Sequence, residues 1–235
     1  MSAAGRPPKG NRLLQALPKG QLDLLAPHLV LAPLHLRDTF ERPNRPIEEV
    51  CFPVTGIVSV VAEHPKGRRI EIGLVGCEGV TGSAVILGSD STPHATYIQV
   101  AGEGYRLPVA KLRELLAKSP AFQGLLLKYV QTFMVQTAHT AIASARATLT
   151  ERLARWLLMA HDRTSGNVLS LTHEFLSLML AVRRPGVTEA LQSLEDAGLI
   201  QCARGQIIVL DRKAIEKRAG PYYGVPEAEY RRLMG

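Results

Sequence analysis

Long apolar runs are missing from this 235-residue chain. The longest, such as Leu29–Leu36 and Leu176–Val182, fall far short of the ~20 residues a membrane helix needs, so no membrane partner is expected. Cysteine is scarce. Cys51, Cys77 and Cys202 are an odd count without a CxxC pair, which argues against a disulfide framework or an iron–sulfur ligand set and for reduced thiols. The seven histidines offer no HxxxH or HExxH spacing, so no metal is expected. A basic arm is absent too: the net charge of +7 divides into +5 over residues 1–147 and +2 over 148–235. That excess permits an anionic partner without choosing one. The first ten residues, MSAAGRPPKG, lack the apolar stretch of a secretory signal, and their Pro and Gly content predicts a frayed tail and a cytoplasmic address.

What is present divides the chain. Residues 11–27 carry two short apolar-periodic pieces around Pro18-Lys19-Gly20, expected as small helices. From Leu29 to Leu107 the segments LVLAPLHLR, EEVCFPV, GIVSVVAE, RRIEIGLVG, TYIQVAG and GYRLPV are short, rich in Val and Ile, and punctuated by turn residues. They predict an antiparallel β-roll or barrel. In the fourth of them Ile70, Ile72 and Leu74 alternate with Glu71, Gly73 and Val75, a period of two that turns one face inward.

After Leu107 the pattern becomes helical. Pro120 precedes a Pro-free stretch, Ala121–Ala145, expected as a helix about 37 Å long. Its apolar residues form two rows, Phe122, Leu126, Tyr129 and Phe133 on one, Leu127, Val130, Met134, Ala138 and Ala141 on the other. Two rows predict burial on two sides, against the chain's own barrel and against a second subunit. The expected dimer residues are Phe122, Leu126, Tyr129, Val130, Phe133, Met134, Ala138 and Ala141. Thr148 and Glu151 form a capping-box pattern that opens a new helix, which sets three parts: residues 1–120, 121–147 and 148–235.

Residues 169–200, LSLTHEFLSLMLAVRRPGVTEALQSLEDAGLI, carry the most specific pattern. Thr172 is an expected N-cap, and a helix should run from it to about Leu180. A turn, Ala181-Val182-Arg183-Arg184, leads to Pro185, suited to the first helical position, and Gly198 closes the second helix. Leu176, Met179 and Val182 meet Val187, Ala190, Leu191 and Leu194 across the turn, as in a helix-turn-helix. In that plan the second helix enters the major groove, which here presents Arg183, Arg184, Thr188 and Glu189 to base edges. Thr172 and the amides around Gly186 are expected on phosphates. LIQCARGQIIVLD then reads as a hairpin wing with Arg204 at its tip.

The pattern TxxxxxxxLxVxRxxVTxxLxxLExAGLI, from Thr172 to Ile200, together with the roll and the long helix before it, resembles the Crp/Fnr family of bacterial transcription regulators. The resemblance implies an α+β fold with a cyclic-nucleotide-binding-like roll, a dimerisation helix and a winged helix-turn-helix. It also implies a homodimer on a near-palindromic double-stranded operator, with Arg184, Pro185, Thr188 and Glu189 facing the bases, and RNA polymerase as a partner if the protein is an activator. Ala181 stands where the family usually has a turn glycine. Cyclic-nucleotide-binding members carry a Gly-Glu-Leu triplet and an Arg-Ser pair in the roll. By position these become Gly82-Ser83-Ala84 and Pro93-His94, so Gly82, Ser83, Ala84 and His94 are the expected effector pocket for an unknown small molecule. Without the arginine, cyclic AMP is not expected, and one Cys and one scattered His do not make a haem site. The alternative is a cupin-like ligand-binding or enzymatic roll with a non-DNA interaction module, but the strands carry no paired metal ligands or activated nucleophile, so no enzyme is expected.

Overall fold

The computed structural model describes residues 9–64, 67 and 69–235. The expected frayed tail falls largely outside them. Two short helices, α1 (Arg12–Gln15) and α2 (Lys19–Leu25), precede the strands. Asn11 caps α1, its side chain accepting from the Leu14 amide and donating to the Pro53 and Gly79 carbonyls at 2.8 and 2.9 Å. That fully buried amide ties the amino-terminal helix to the roll.

The roll has two antiparallel sheets. One has the order β1 (Val30–Leu34), β7 (Gly102–Pro108), β3 (Glu49–Pro53). The other has the order β2 (Thr39–Glu41), β6 (Ala95–Val100), β4 (Ile57–Glu63), β5 (Arg69–Val75). The short β2, within DTFE, was not among the expected strands. A four-residue helix, α3 (Ser83–Ile86), sits between β5 and β6. The roll's interior is apolar, with Val50, Phe52, Val58, Ile98 and Leu107 fully buried.

The outer strand β5 corrects the expectation of a single buried face. Gly73 lies so close to the long helix that an added Cβ would collide with Phe133, and Leu74 exchanges two hydrogen bonds with the Gln136 side chain, at 2.6 and 3.2 Å. A glutamine on the helix thus pairs with an edge strand that would otherwise be open. Glu71, the charged residue of the period, is also buried, at 5% exposure.

Helix α4 (Val109–Lys118) leads to α5 (Pro120–Arg146), which begins at a Ser119 cap with Pro120 in its first turn. The backbone leaves the helix at Ala147, and the Thr148–Glu151 capping box opens α6 (Leu149–His161). The Glu151 carboxylate accepts from the Thr148 amide at 2.7 Å. Next come β8 (Val168–Leu169), α7 (His173–Met179), α8 (Arg184–Asp196), β9 (Ile200–Ala203), β10 (Gln206–Val209), α9 (Arg212–Ala219) and α10 (Val225–Met234). The last of these, which the apolar pattern did not announce, folds back along α5. Tyr230 on it donates to the Glu78 carbonyl at 2.9 Å.

A second core fills the carboxy-terminal half around Leu157, Leu176, Val187, Leu191, Leu194 and Ile207, and it takes in Ile57 and Leu74 from the roll. The two halves therefore share apolar contact. No helix among the described residues is long and apolar enough to cross a membrane.

Candidate nucleic-acid interface

Helices α7 and α8 are set by local chemistry. The Thr172 hydroxyl accepts from the Phe175 amide at 3.2 Å, which starts α7. Its end is held by Arg152 of α6, whose guanidinium donates to the Leu180 carbonyl at 2.5 Å; a cation there suits the negative end of the helix. The turn passes through Ala181, whose φ of +51° is left-handed. A side chain in that region costs about 1–2 kcal/mol, a strain that a glycine would relieve.

Helix α8 starts one residue earlier than expected, at Arg184, with Arg183 as an uncapped N-cap and Pro185 in the first turn. Its inner face, Val187, Ala190, Leu191 and Leu194, is buried against α6, α7 and the wing. Its outer face exposes Arg184, Pro185, Thr188 and Glu189, while Arg183 is exposed beside it and Gly186 is half-buried. Among the described residues, Arg183, Arg184 and Arg204 have no ion pair. Three guanidinium groups without internal partners stand ready for an external anion or for the acceptor edge of guanine.

The sequence reading missed His173. Its ring lies 3.1 Å from the Thr188 hydroxyl, which donates in turn to the Arg184 carbonyl at 3.2 Å, so the first turn of α7 helps fix a side chain on the outer face of α8. The available signal was its position one residue after the Thr172 cap, where a helix-turn-helix brings α7 beside α8. The wing forms as expected: Ala203 pairs with Gln206 across Arg204-Gly205, and Gly205 takes a φ of +73°. Glu195, near the end of α8, accepts from the Cys202 amide at 2.6 Å, which ties the wing to the helix. The expectation missed β8, the third strand of this small sheet, which pairs with β10.

The joint between this head and the roll is polar at its centre. The Glu71 carboxylate accepts from the Trp156 indole N–H at 2.6 Å and from the Ser59 hydroxyl, and that hydroxyl also contacts Met179 of α7 at 3.3 Å. Burial pushes the Glu71 carboxyl up to about 7, against the opposing pull of its two hydrogen bonds and of Arg163 and Arg155. Arg155, also buried, donates to the Tyr222 carbonyl at 3.0 Å and to Thr140 of α5 at 3.2 Å. Desolvation lowers its guanidinium to about 10.

The residues expected in an effector pocket lie at two places in the roll. Gly82 is the left-handed N-cap of α3, with Ser83 and Ala84 in its first turn, while His94 sits in the loop before β6, its amide donating to Thr92 at 3.3 Å. The Glu41 carboxylate accepts from the Gly82 amide at 2.8 Å, and burial raises its pKa. An acidic side chain thus already holds the amide at the amino end of α3, an arrangement unfavourable to a phosphate there.

The expected dimer residues also separate. Phe122, Leu126, Tyr129 and Val130 are buried inside the protomer against the roll, and Phe133 is partly buried with them. Met134, Ala138 and Ala141 are exposed. One row of α5 thus packs into the chain's own core, and Met134, Ala138 and Ala141 are left on its open face.

A three-helix core, a recognition helix with an unpaired basic end and a three-stranded wing define a winged helix-turn-helix, a DNA-binding class of domain. Residues 151–218 match the family model of the Crp-like helix-turn-helix domain. No curated protein matches the chain in sequence. Among solved structures, FixK2 of Bradyrhizobium japonicum is similar at a TM-score of 0.70 and 18% identity, over 80% of this chain and 96% of that one. CLP, described as a c-di-GMP-responsive global regulator of Xanthomonas campestris, is similar at 0.65 and 19%, over 82% and 99%. A CRP-family transcriptional regulator of Thermus thermophilus is similar at 0.64 and 21%, over 80% and 96%. The chain thus carries a Crp-like helix-turn-helix domain over residues 151–218 and shares the overall fold of these solved structures.

Proposed function

We propose that the protein is a sequence-specific regulator that binds operator DNA as a homodimer in the cytoplasm, has no catalytic role, and works in three parts: a sensor roll (1–120), a dimer helix (121–147) and a DNA-binding head (148–235). The observation that carries this reading is the outer face of α8, where Arg184, Thr188 and Glu189 are exposed opposite a buried apolar face and Arg183 and Arg184 have no ion pair among the described residues. Arg184 reads a guanine edge, Glu189 accepts from a cytosine amino group, and Thr188 serves a base or a phosphate. Arg183, Arg204, Thr172 and the α8 amino end near Pro185 and Gly186 hold the backbone in register.

The seam of the dimer follows from what α5 leaves uncovered. Leu127, Gln131, Met134, Ala138, Ala141 and Ala145 are all exposed and repeat at alternating steps of four and three, the spacing of a two-helix coiled coil. Small residues at 138, 141 and 145 permit close approach of a second copy. A signal received by the roll would shift this helix pair between two arrangements and so reset the distance between the two heads. An activator of this kind would in addition present a surface to RNA polymerase.

The test is a gel-shift titration on a selected operator. Arg184→Ala should lose about 1–3 kcal/mol of binding and relax preference at one position of each half-site. Unchanged affinity and preference would overturn the assignment of α8 as the reading helix.

A further inference from the structure

Outside the DNA-reading face lies a cavity of about 380 Å3, within the range of small-molecule sites. It sits where the roll, α5 and the carboxy-terminal segments meet, so both halves of the chain line it. Glu78 comes from the turn after β5, Tyr129 and Phe133 from α5, Arg163 from the end of α6, and Tyr230 and Arg231 from α10, with Arg12 of α1 at the mouth.

The inner polar groups are incompletely matched. Glu78 and Arg163 pair at 2.7 Å, their side chains only 11% and 9% exposed. This pair uses one carboxylate oxygen and leaves Glu78 Oε2 without a donor. Beside it Tyr129, 3% exposed, packs its hydroxyl on Gly79, and the hydroxyl proton has no acceptor among the described residues. Buried polar groups are nearly always satisfied, and three in one cavity without a hydrogen-bond partner among the described residues, Glu78 Oε2, the Tyr129 hydroxyl and Arg163 Nε, whose ion pair with Glu78 lacks hydrogen-bond alignment, call for a guest that hydrogen-bonds. The mouth has the opposite character. Arg12 and Arg231 are exposed and, among the described residues, have no ion pair, whereas their neighbour Arg212 is held by Asp162 at 2.7 Å. Between mouth and floor, Phe133 and Tyr230 supply partly buried apolar rings.

We propose that this cavity binds a small organic anion with a flat ring and a hydrogen-bond donor at the end remote from its charge. The anionic group pairs with Arg12 and Arg231, the ring lies against Phe133 and Tyr230, and the donor reaches Glu78 Oε2 while Tyr129 donates to an acceptor on the ring. The inference deepens the reading of an effector-responsive regulator and rests on it for its regulatory meaning. It moves the effector from the roll's α3 to the joint, where a guest would hold the roll and the head in one relative position.

The experiment uses the full chain and four probes: 4-aminobenzoate, adenosine 5′-monophosphate, benzoate and inorganic phosphate, each by thermal shift and calorimetry at up to millimolar concentration. One or both of the first two should bind and raise the melting temperature, the carboxylate and phosphate arms telling which anion the mouth prefers. Benzoate, lacking the donor, should bind at least several-fold more weakly than 4-aminobenzoate if the carboxylate arm is the active one. Arg12→Ala/Arg231→Ala should weaken binding tenfold or more, and Tyr129→Phe should weaken adenosine 5′-monophosphate, whose ring carries acceptors, several-fold while leaving 4-aminobenzoate, whose ring carries none, little changed, with the ligand-free melting temperature of the double variant unchanged. Failure of all four probes to bind, phosphate binding as well as the ring-bearing anions, or binding unaffected by the double variant would overturn the proposal. Operator binding of the same proteins without probe separates the two claims: if DNA binding persists while the ligand results fail, the cavity assignment falls and the regulator reading stands.

Discussion

The two halves of this protein differ in which charges they leave outside. The head places Arg183, Arg184 and Arg204 on its surface with no ion pair among the described residues, while the roll takes Glu41, Glu71 and Glu78 inside, each under 10% exposed. An unpaired surface cation costs little in water and is available to an outside anion. A buried carboxylate is costly unless several donors hold it, so each one marks a place where the fold is poised. Under the proposed function, the difference teaches where each half would work: the head on its outer face, the roll at its seam with the head.

Three changes would break or sharpen this contrast. The largest effect is expected at the surface of α5, where Met134→Glu places a charge in the proposed coiled-coil seam. Sedimentation should show at least a hundredfold weaker dimer, with loss of tight operator binding, while a dimer of unaltered strength would place the seam elsewhere.

The second concerns Glu71, which faces Trp156 and Ser59 and feels Arg155 and Arg163 of the α6 segment and Tyr97 of β6. Its folded-state pKa of about 7 lies above the ordinary carboxylate value, so the folded state binds the proton more tightly than the unfolded one. The joint is therefore fully favoured below about pH 4.5, and its contribution is lost as pH rises through about 7. The span corresponds to a stability difference on the order of 3 kcal/mol. Glu71→Gln keeps an acceptor for Trp156 and should flatten that pH dependence and raise stability at pH 8. Denaturant titration at pH 5 and pH 8 measures it, and equal pH slopes in the two proteins would remove Glu71 from the account.

The smallest effect is local to the head: Ala181→Gly should relieve the left-handed turn and stabilise the protein by about 1 kcal/mol, after the glycine's own entropy is counted. A melting temperature that falls would mean that the turn is not strained.

Legibility in the sequence followed the range of the interactions. The helix-turn-helix could be read because its signals are local: a threonine cap, a proline in the first turn of α8, a glycine after its end and apolar spacing within about 30 residues. The two rows on α5 were also visible, but which row would face outward depended on the roll, and Val130 joined the inner row. Burial of Glu71 could not be seen, because alternation along β5 says nothing of the helices that cover its second face. The return of α10 along α5 was equally hidden, since it rests on contacts such as Tyr230 to Glu78, 152 residues apart. The site at α3, placed by resemblance, met Glu41, a residue some 40 positions earlier that no local pattern connects to Gly82.

The most direct test of the central claim is selection of bound sequences from a random duplex pool with the full chain. A dimer reading DNA through two copies of α8 should enrich a near-palindrome whose half-sites are centred about 10 base pairs apart, one helical turn, with a guanine preference lost in Arg184→Ala. Enrichment of no sequence, or of a single half-site with no symmetric mate, would contradict it.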